Sequence, residues 1–431
     1  MTLPYQPYPV TFPHMKTLPI LTFVFLMSVA AACDTTDSNR TTRLSPKALD
    51  VPLLVSELND SGADFGIDLF RLTANNASEP HANLMLSPLS AHVALTMLLN
   101  GSRGETYGQI NRMLGYPSSM DLDDVNQAYA ALTRELLKAD PRVTLTLANA
   151  VFQREGSDVK IPFLETLKGD FGAHHALLDF DKPTAVNAIN QWASDKTNKR
   201  IPKVLDRIEP DAVLFLLNAL YFKGAWSNPF DMSKTRPADF TRTDGRTVSV
   251  PTMNTEVSSI IHEGSDYRAI EIPYGRRNFS MIVILPEGSL IDFYDRFTGT
   301  TWRELTSALD ARSVSEEWPK NELHLPRFSF EYDRTLNDHL QTLGMQDAFD
   351  EALANLSGIS DMKLVVSSVK QNTFVEVNEE GTEAAAVTTV EIRNTSVPMP
   401  FQANRPFIFA IRERTTNTLL FIGQVTDPSK S

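Results

Sequence analysis

Residues 379–398 read EEGTEAAAVTTVEIRNTSVP. Two carboxylates and a glycine are followed by three alanines, the β-branched run Val387 to Val390, and a polar tip that ends at Pro398. Residues this small do not fill an ordinary core, and a β-branched run is not a flexible linker. Read as a strand, period two puts Thr382, Ala384, Ala386, Thr388, Val390 and Ile392 on one face. Glu383, Ala385, Val387, Thr389, Glu391 and Arg393 fall on the other. The first face has no charge, and every charge from 382 to 393 lies on the second. That is the pattern of a strand with one buried side. Gly381 suits a hinge, because glycine accepts either sign of φ; a turn glycine is the alternative.

Outward from that stretch, KLVVSSVKQNTFVEVNEE at 363–380 predicts a long strand leading into it. Helical spacing covers 51–73, 88–100, a short piece within 101–115, and 123–138, with Ser87 or Ser90 as cap beside Pro88. An amphipathic helix is expected within 184–205, stopped before Pro202. Strands are expected at 145–154, 211–226, 324–333 and in a hairpin around the turn GRRN at 275–278. A helix follows at 336–345, and two closing strands meet at a turn over 414–417. No linker or repeat interrupts residues 51–428, so a single mixed domain is expected there.

The chain has 431 residues, 42% hydrophobic and 22% charged, enough for a large core. Its net charge of −13, without a basic tract, argues against a nucleic-acid partner. The beginning differs from the rest. Lys16, the apolar run LPILTFVFLMSVAAA at 18–32 and then Cys33 predict a signal peptide over 1–33, with Met15 as a second candidate start. AAAC resembles the cleavage box of bacterial lipoproteins, which makes Cys33 the candidate lipidation site and residues 34–50 a polar tether. An ordinary signal peptide cut near Ala32 is the alternative. Cys33 is the sole cysteine, so no internal disulfide can form.

The catalytic inventory is thin. Ser87, Ser90 and Ser280 stand in no G-x-S-x-G elbow. The eight histidines are scattered, and the His174–His175 pair points to opposite sides of a strand. There is no H-E-x-x-H motif, and GSRGET at 101–106 lacks the spacing and lysine of a phosphate loop. No enzyme activity, metal or cofactor is expected. A hydrolase has no recognisable nucleophile and base here.

NEEGTEAAA at 378–386 resembles the proximal hinge of the serpin family, the serine protease inhibitors. The likeness extends to NLMLSPLSAHVALTMLLNGSRGET at 83–106 and FLLNALYFKGAWSNPF at 215–230. It reaches FQANRPFIFAI at 401–411 and LLFIGQVTDP at 419–428. The resemblance implies a mixed α+β fold with three β-sheets, about nine helices and an exposed reactive centre loop, here about 379–398. It implies a suicide inhibitor. A serine protease attacks the loop, forms an acyl-enzyme, and is trapped as the loop inserts into the central sheet. Small inward residues favour that insertion, whereas a bulky one overpacks the sheet.

Counted from Gly381, the family's loop length puts the reactive bond at Thr395–Ser396, which suits an elastase-like or subtilisin-like pocket. Arg393 is the alternative, for a trypsin-like protease. The hinge residues are Glu379, Glu380, Gly381, Thr382, Glu383, Ala384, Ala385 and Ala386, the two leading glutamates being candidates to pair with a basic group not identified by the sequence. Ser87, Asn218 and Trp226 match supporting positions of the central sheet. Gln371 departs from the family, where many members carry histidine; it keeps hydrogen-bonding capacity but not a charge switch. The implied partners are a serine protease, bound covalently by a monomer, and a membrane reached through lipid on Cys33. The implied location is extracytoplasmic, at a bacterial envelope. A non-inhibitory serpin, acting as a binding or chaperone protein, is the other reading. The absence of charge, proline and bulk from 384 to 388 weighs against it.

Overall fold

The computed structural model describes residues 6–10, 46–75, 82–313, 318–382 and 399–430. The chain divides into a unit at 1–43 and a compact unit from Leu44 to Ser431. Among the described residues no helix is long and apolar enough to cross a membrane. Nine α-helices occur among them, in a mixed α+β arrangement.

The first half alternates helices and strands. It contains α1 (Leu54–Ala74), β1 (Leu84–Leu86), α2 (Pro88–Gly101), α3 (Gly104–Leu114) and α4 (Leu122–Leu136). Then come β2 (Val143–Arg154), α5 (Ile161–Asp170), β3 (His174–Leu178), α6 (Pro183–Lys196) and β4 (Leu214–Ala225). The second half is mainly strand: β5 (Arg236–Thr241), β6 (Thr247–Ser258), β7 (Ile260–Glu263), β8 (Tyr267–Pro273) and β9 (Phe279–Pro286). After α7 (Leu290–Tyr294) and α8 (Gly299–Arg312) come β10 (Lys320–Pro326), β11 (Phe328–Thr335) and α9 (Asn337–Thr342). The last strands are β12 (Lys370–Val377), β13 (Gly381–Thr382), β14 (Phe401–Gln402), β15 (Phe407–Glu413) and β16 (Thr418–Val425).

Three layers of sheet result. A six-stranded sheet runs β1-β16-β15-β9-β8-β7, and a four-stranded one runs β14-β10-β6-β5. The third is in two parts, β11-β12 and β13-β4-β2-β3. Strands β8, β9, β15 and β16 are buried along almost their whole length, hence their unbroken apolar sequences. Helix α2 packs on both β4 and β16, between two sheets, so it is apolar nearly all round. Ser87 caps it, accepting a hydrogen bond from Ser90 N at 3.2 Å, with Pro88 in the first turn.

Three predicted elements differ. Helix α6 ends at Lys196, before the expected limit, because Asn198 and Lys199 take φ of 50° and 65°. The alternating stretch 324–333 is two strands in two sheets. Pro326 ends β10, and the chain crosses over at Arg327. Strand β12 starts only at Lys370, opposite Thr335, where its partner β11 ends. The preceding backbone is held instead by Asn337, which accepts from Val369 N and donates to Ser367 O.

Candidate functional site

The carboxyl end of β12 turns back on itself at the edge of the third sheet. Asn378 and Gly381 exchange backbone hydrogen bonds of 3.0 and 3.3 Å, and the Asn378 side chain accepts from Glu380 N at 3.0 Å. The chain then pairs antiparallel with β4, Gly381 opposite Ala225 and Thr382 opposite Gly224. The carbonyls of this turn are all used. Trp226 donates its indole N–H to Asn378 O at 2.9 Å and its backbone N–H to Glu380 O at 3.0 Å. Phe230 N donates to Glu379 O at 2.8 Å. Trp226 is thus a buried support of the turn.

Gly381 has φ of +142°, and a Cβ there would lie 2.1 Å from Gly224 O. No side chain fits at this position. Before it, the buried carboxylate of Glu379 accepts from Arg327 Nε at 2.7 Å and from the Thr235 hydroxyl. Burial works against its charge, but the hydrogen bonds from Arg327 and Thr235 outweigh it and hold the carboxyl below its ordinary range. Arg327 is therefore the basic partner that the sequence left unidentified. Of the two glutamates, Glu379 takes this partner; Glu380 uses its backbone N–H and carbonyl in the turn.

After Gly381, Thr382 is buried and its hydroxyl lies 2.9 Å from the Tyr274 hydroxyl. Beyond Thr382, β4 and β12 are not paired to each other. The cleft between them is lined by Leu220, Phe222, Phe374, Glu376, Arg200 and Thr382. The segment after α6 spans it. Arg200 pairs with Glu376 at 3.1 Å and stacks 4.7 Å over Phe374, while Asn198 donates to the Tyr221 hydroxyl at 3.3 Å.

Lower in this sheet, Ser87 and Gln371 are brought together. The Gln371 carboxamide accepts from Ser87 N and donates to Ser87 O, both at 2.9 Å, and Ser87 Oγ donates to Leu420 O at 2.9 Å. Glutamine uses both halves of its amide here. Asn218 stands apart from that pair. Its Nδ2 donates to Asn149 Oδ1 at 2.6 Å, and its own Oδ1 is buried without a partner among the described residues. Glu383, Ala384, Ala385, Ala386, Arg393, Thr395, Ser396 and Cys33 lie outside the described residues. The described residues contain no cluster of three or more metal-ligating side chains. Ser280 donates to buried Glu271 at 2.6 Å within an ion-pair cluster with Arg412, a structural role.

Arg327, Tyr274, Arg200 and Asn149 were not singled out by sequence reasoning. Only Arg327 carried a local signal, Pro326 beside it, which breaks the alternation.

Residues 60–428 match the family model for serpins, serine protease inhibitors. The leukocyte elastase inhibitor of Equus caballus is 34% identical over 392 residues, 87% of this chain and all of that one. An uncharacterised serpin-like protein of Methanosarcina acetivorans is 31% identical over 423 residues, 96% of each chain. Among solved structures, the thermophilic serpin tengpin in its native state superposes with a TM-score of 0.76 at 31% identity, covering 89% of this chain and 96% of its own.

Proposed function

The chain belongs to the serpin family, and from that premise we propose that it is an irreversible suicide-substrate inhibitor of serine proteases. The observation that carries this reading is the junction of the hinge with the split sheet. Gly381 and Thr382 lie on β4 as the first two residues of a new antiparallel strand, and the cleft beside them continues between β4 and β12. An extended segment adding to an unpaired strand edge gains main-chain hydrogen bonds, and the uncharged face of 382–392 is suited to that place.

The reaction uses the protease's own chemistry. The protease serine oxygen attacks the Thr395 carbonyl carbon and forms an ester with it. The bond from that carbon to Ser396 N breaks, and the new amine takes the proton that the serine lost. Water would then hydrolyse the ester, unless the freed segment inserts first and displaces the protease active site. Thr395 is small and β-branched, which fits an elastase-like or subtilisin-like pocket, and the relatives named leukocyte elastase inhibitors support that choice. The N-terminal pattern supports a location outside the cytoplasm, with lipid on Cys33 as the anchor of a bacterial lipoprotein. Residues 34–50 then form the tether. Its last part meets the folded body, where Lys47 N donates to Asn278 Oδ1 at 2.9 Å.

The test is incubation of the full chain with elastase, subtilisin, chymotrypsin and trypsin. A denaturation-resistant adduct, with mass spectrometry placing the ester at Thr395, is expected with elastase or subtilisin. Cleavage by all four without an adduct refutes the inhibitory reading, and an adduct at Arg393 refutes the bond assignment alone.

A further inference from the structure

Tyr274 is fully buried, and its ring is fixed on three sides. It stacks on Trp226 with centroids 4.3 Å apart and planes 9° from parallel. Phe222 meets it edge-on at 5.1 Å. Its backbone bridges to Trp226, and its N–H donates to Phe279 O at 2.8 Å. The third side is Gly224, where an added Cβ would come 2.9 Å from Tyr274 Cδ1. Glycine at 224 therefore lets the ring reach the sheet, and Gly224 is the residue opposite Thr382.

The phenol has one partner among the described residues, the Thr382 hydroxyl at 2.9 Å. Burial holds the phenol in its protonated form, so it can donate. A buried hydroxyl of this kind costs free energy when unpaired. Thr382 reaches it only with the hinge on β4. The pair is already made in the intact chain, with Gly381 and Thr382 on β4, and it is broken if the hinge withdraws.

We propose that Tyr274 is a positioning residue for loop insertion: its phenol holds the Thr382 hydroxyl and keeps the hinge on the sheet, so that insertion starts from a seated strand and outruns hydrolysis of the acyl-enzyme. This rests on the inhibitory reading given above. Position 382 accordingly requires a hydroxyl, beyond the small size that the sheet demands. The bond acts on partition, not on binding. It leaves the attack on Thr395 unchanged and alters how many inhibitor molecules are hydrolysed for each one that traps.

The full chain and the variants Tyr274→Phe, Thr382→Val, Thr382→Ser and the Tyr274→Phe/Thr382→Val double variant are titrated against elastase and subtilisin. The readout is the number of inhibitor molecules consumed per protease molecule inactivated. Thr382→Ser should match the parent. Tyr274→Phe and Thr382→Val should each raise consumption roughly fivefold, the factor for one net hydrogen bond. The double variant should remain near fivefold, whereas independent effects would multiply to about twenty-five-fold and overturn the proposal. An unchanged Tyr274→Phe, or a Thr382→Ser as impaired as Thr382→Val, overturns it too. Should Tyr274→Phe be misfolded, as its melting temperature before cleavage would reveal, the valine and serine variants decide between hydroxyl and size.

If the parent forms no adduct with either protease, the inhibitory reading fails, and the latch is then read from limited proteolysis of the intact protein. Faster nicking at 378–382 in Tyr274→Phe and Thr382→Val than in the parent and Thr382→Ser sustains the latch. Equal rates overturn it.

Discussion

Arg327 and Glu379 are 52 residues apart in sequence and meet at the base of the hinge turn. The Glu379 side chain is 3% exposed and that of Arg327 40%, so the carboxylate bears most of the desolvation. Arg327→Ala leaves this carboxylate with the Thr235 hydroxyl and its own backbone N–H and should cost about 2 kcal/mol at neutral pH. Lower thermal stability and faster proteolytic nicking at 378–381 are the measurements. The Glu379 carboxyl lies below its ordinary 4.5 in the folded chain. Its contribution is therefore present above 4.5 and lost as pH falls through the lower folded value, so the parent and Arg327→Ala melting temperatures should converge in acid. A difference that does not shrink as pH falls contradicts the pairing. His92 supplies a second pH dependence. Its ring is fully buried, with Nδ1 on the Tyr129 hydroxyl and Nε2–H donating to Leu114 O at 3.0 Å, a set that suits the neutral ring. Burial lowers its pKa from 6.5 to about 4. The unfolded chain thus binds the proton first on acidification. Stability is full above pH 6.5 and falls by about 3 kcal/mol by pH 4, in addition to any carboxylate effect. His92→Gln should flatten the melting curve against pH in that window, at some cost to stability at pH 7; an unaltered slope would exclude His92 as its source.

Helix α6 and the segment after it join opposite sides of the split sheet. Asn198 reaches Tyr221 on β4, and Arg200 reaches Phe374 and Glu376 on β12. Any strand that extends between β4 and β12 must part these contacts or pass beneath them. The Arg200 pair is about two-thirds buried on each side, and with its aromatic contact contributes on the order of 1 kcal/mol. Arg200→Ala should therefore accelerate spontaneous conversion of intact protein to a more urea-resistant form, followed by urea-gradient electrophoresis at 37 °C. Conversion at the parent rate would mean that this clasp does not restrain the sheet. The same segment shows where sequence reading reached its limit. Helical spacing continues past Lys196, and what ends the helix is the left-handed Asn198 and Lys199 together with the pull of Arg200 toward a strand 176 residues away. Strands β2, β4, β8, β9, β15 and β16 were legible because each fills one sheet with one pattern. The stretch 324–333 was misread because its alternation continues across a change of sheet. The turn that ends at Gly381 is local, made by adjacent residues from Asn378 onward. Tyr274, 108 residues from Thr382, and Asn149, 69 from Asn218, depend on topology that no local pattern contains.

At the scale of the whole molecule, β4 and β12 line one cleft without pairing to each other, which on the inhibitory reading leaves room for a further strand. Two residues of that strand are in place, with Gly381 opposite Ala225 and Thr382 opposite Gly224. A strand continued in that register sets position 388 opposite Asn218, and position 388 is threonine. Asn218 Oδ1 is a buried acceptor without a partner among the described residues, and a threonine hydroxyl is a donor of the right kind for it. Full insertion would thus add main-chain bonds to two strand edges and satisfy an orphaned amide oxygen. On the proposed inhibitory reading, the uninserted molecule would be held by a kinetic barrier and not by its thermodynamic minimum. On that reading, cleavage in the loop would remove the barrier, because the cut segment would no longer be tied to Phe401, which is paired with β10. Ten or so added strand residues, each at a net gain well under 1 kcal/mol after ordering costs, should still raise the melting temperature by roughly 10 °C or more. The measurement is differential scanning calorimetry before and after limited proteolysis of the loop, with the parent compared to Thr388→Val. The cut parent should melt well above the intact one, and the valine variant should recover less of that gain because Asn218 stays unpaired. Equal melting temperatures for cut and intact protein would show that the cleft between β4 and β12 does not accept the loop. A Thr388→Val variant with the full gain would show that the inserted strand runs in another register.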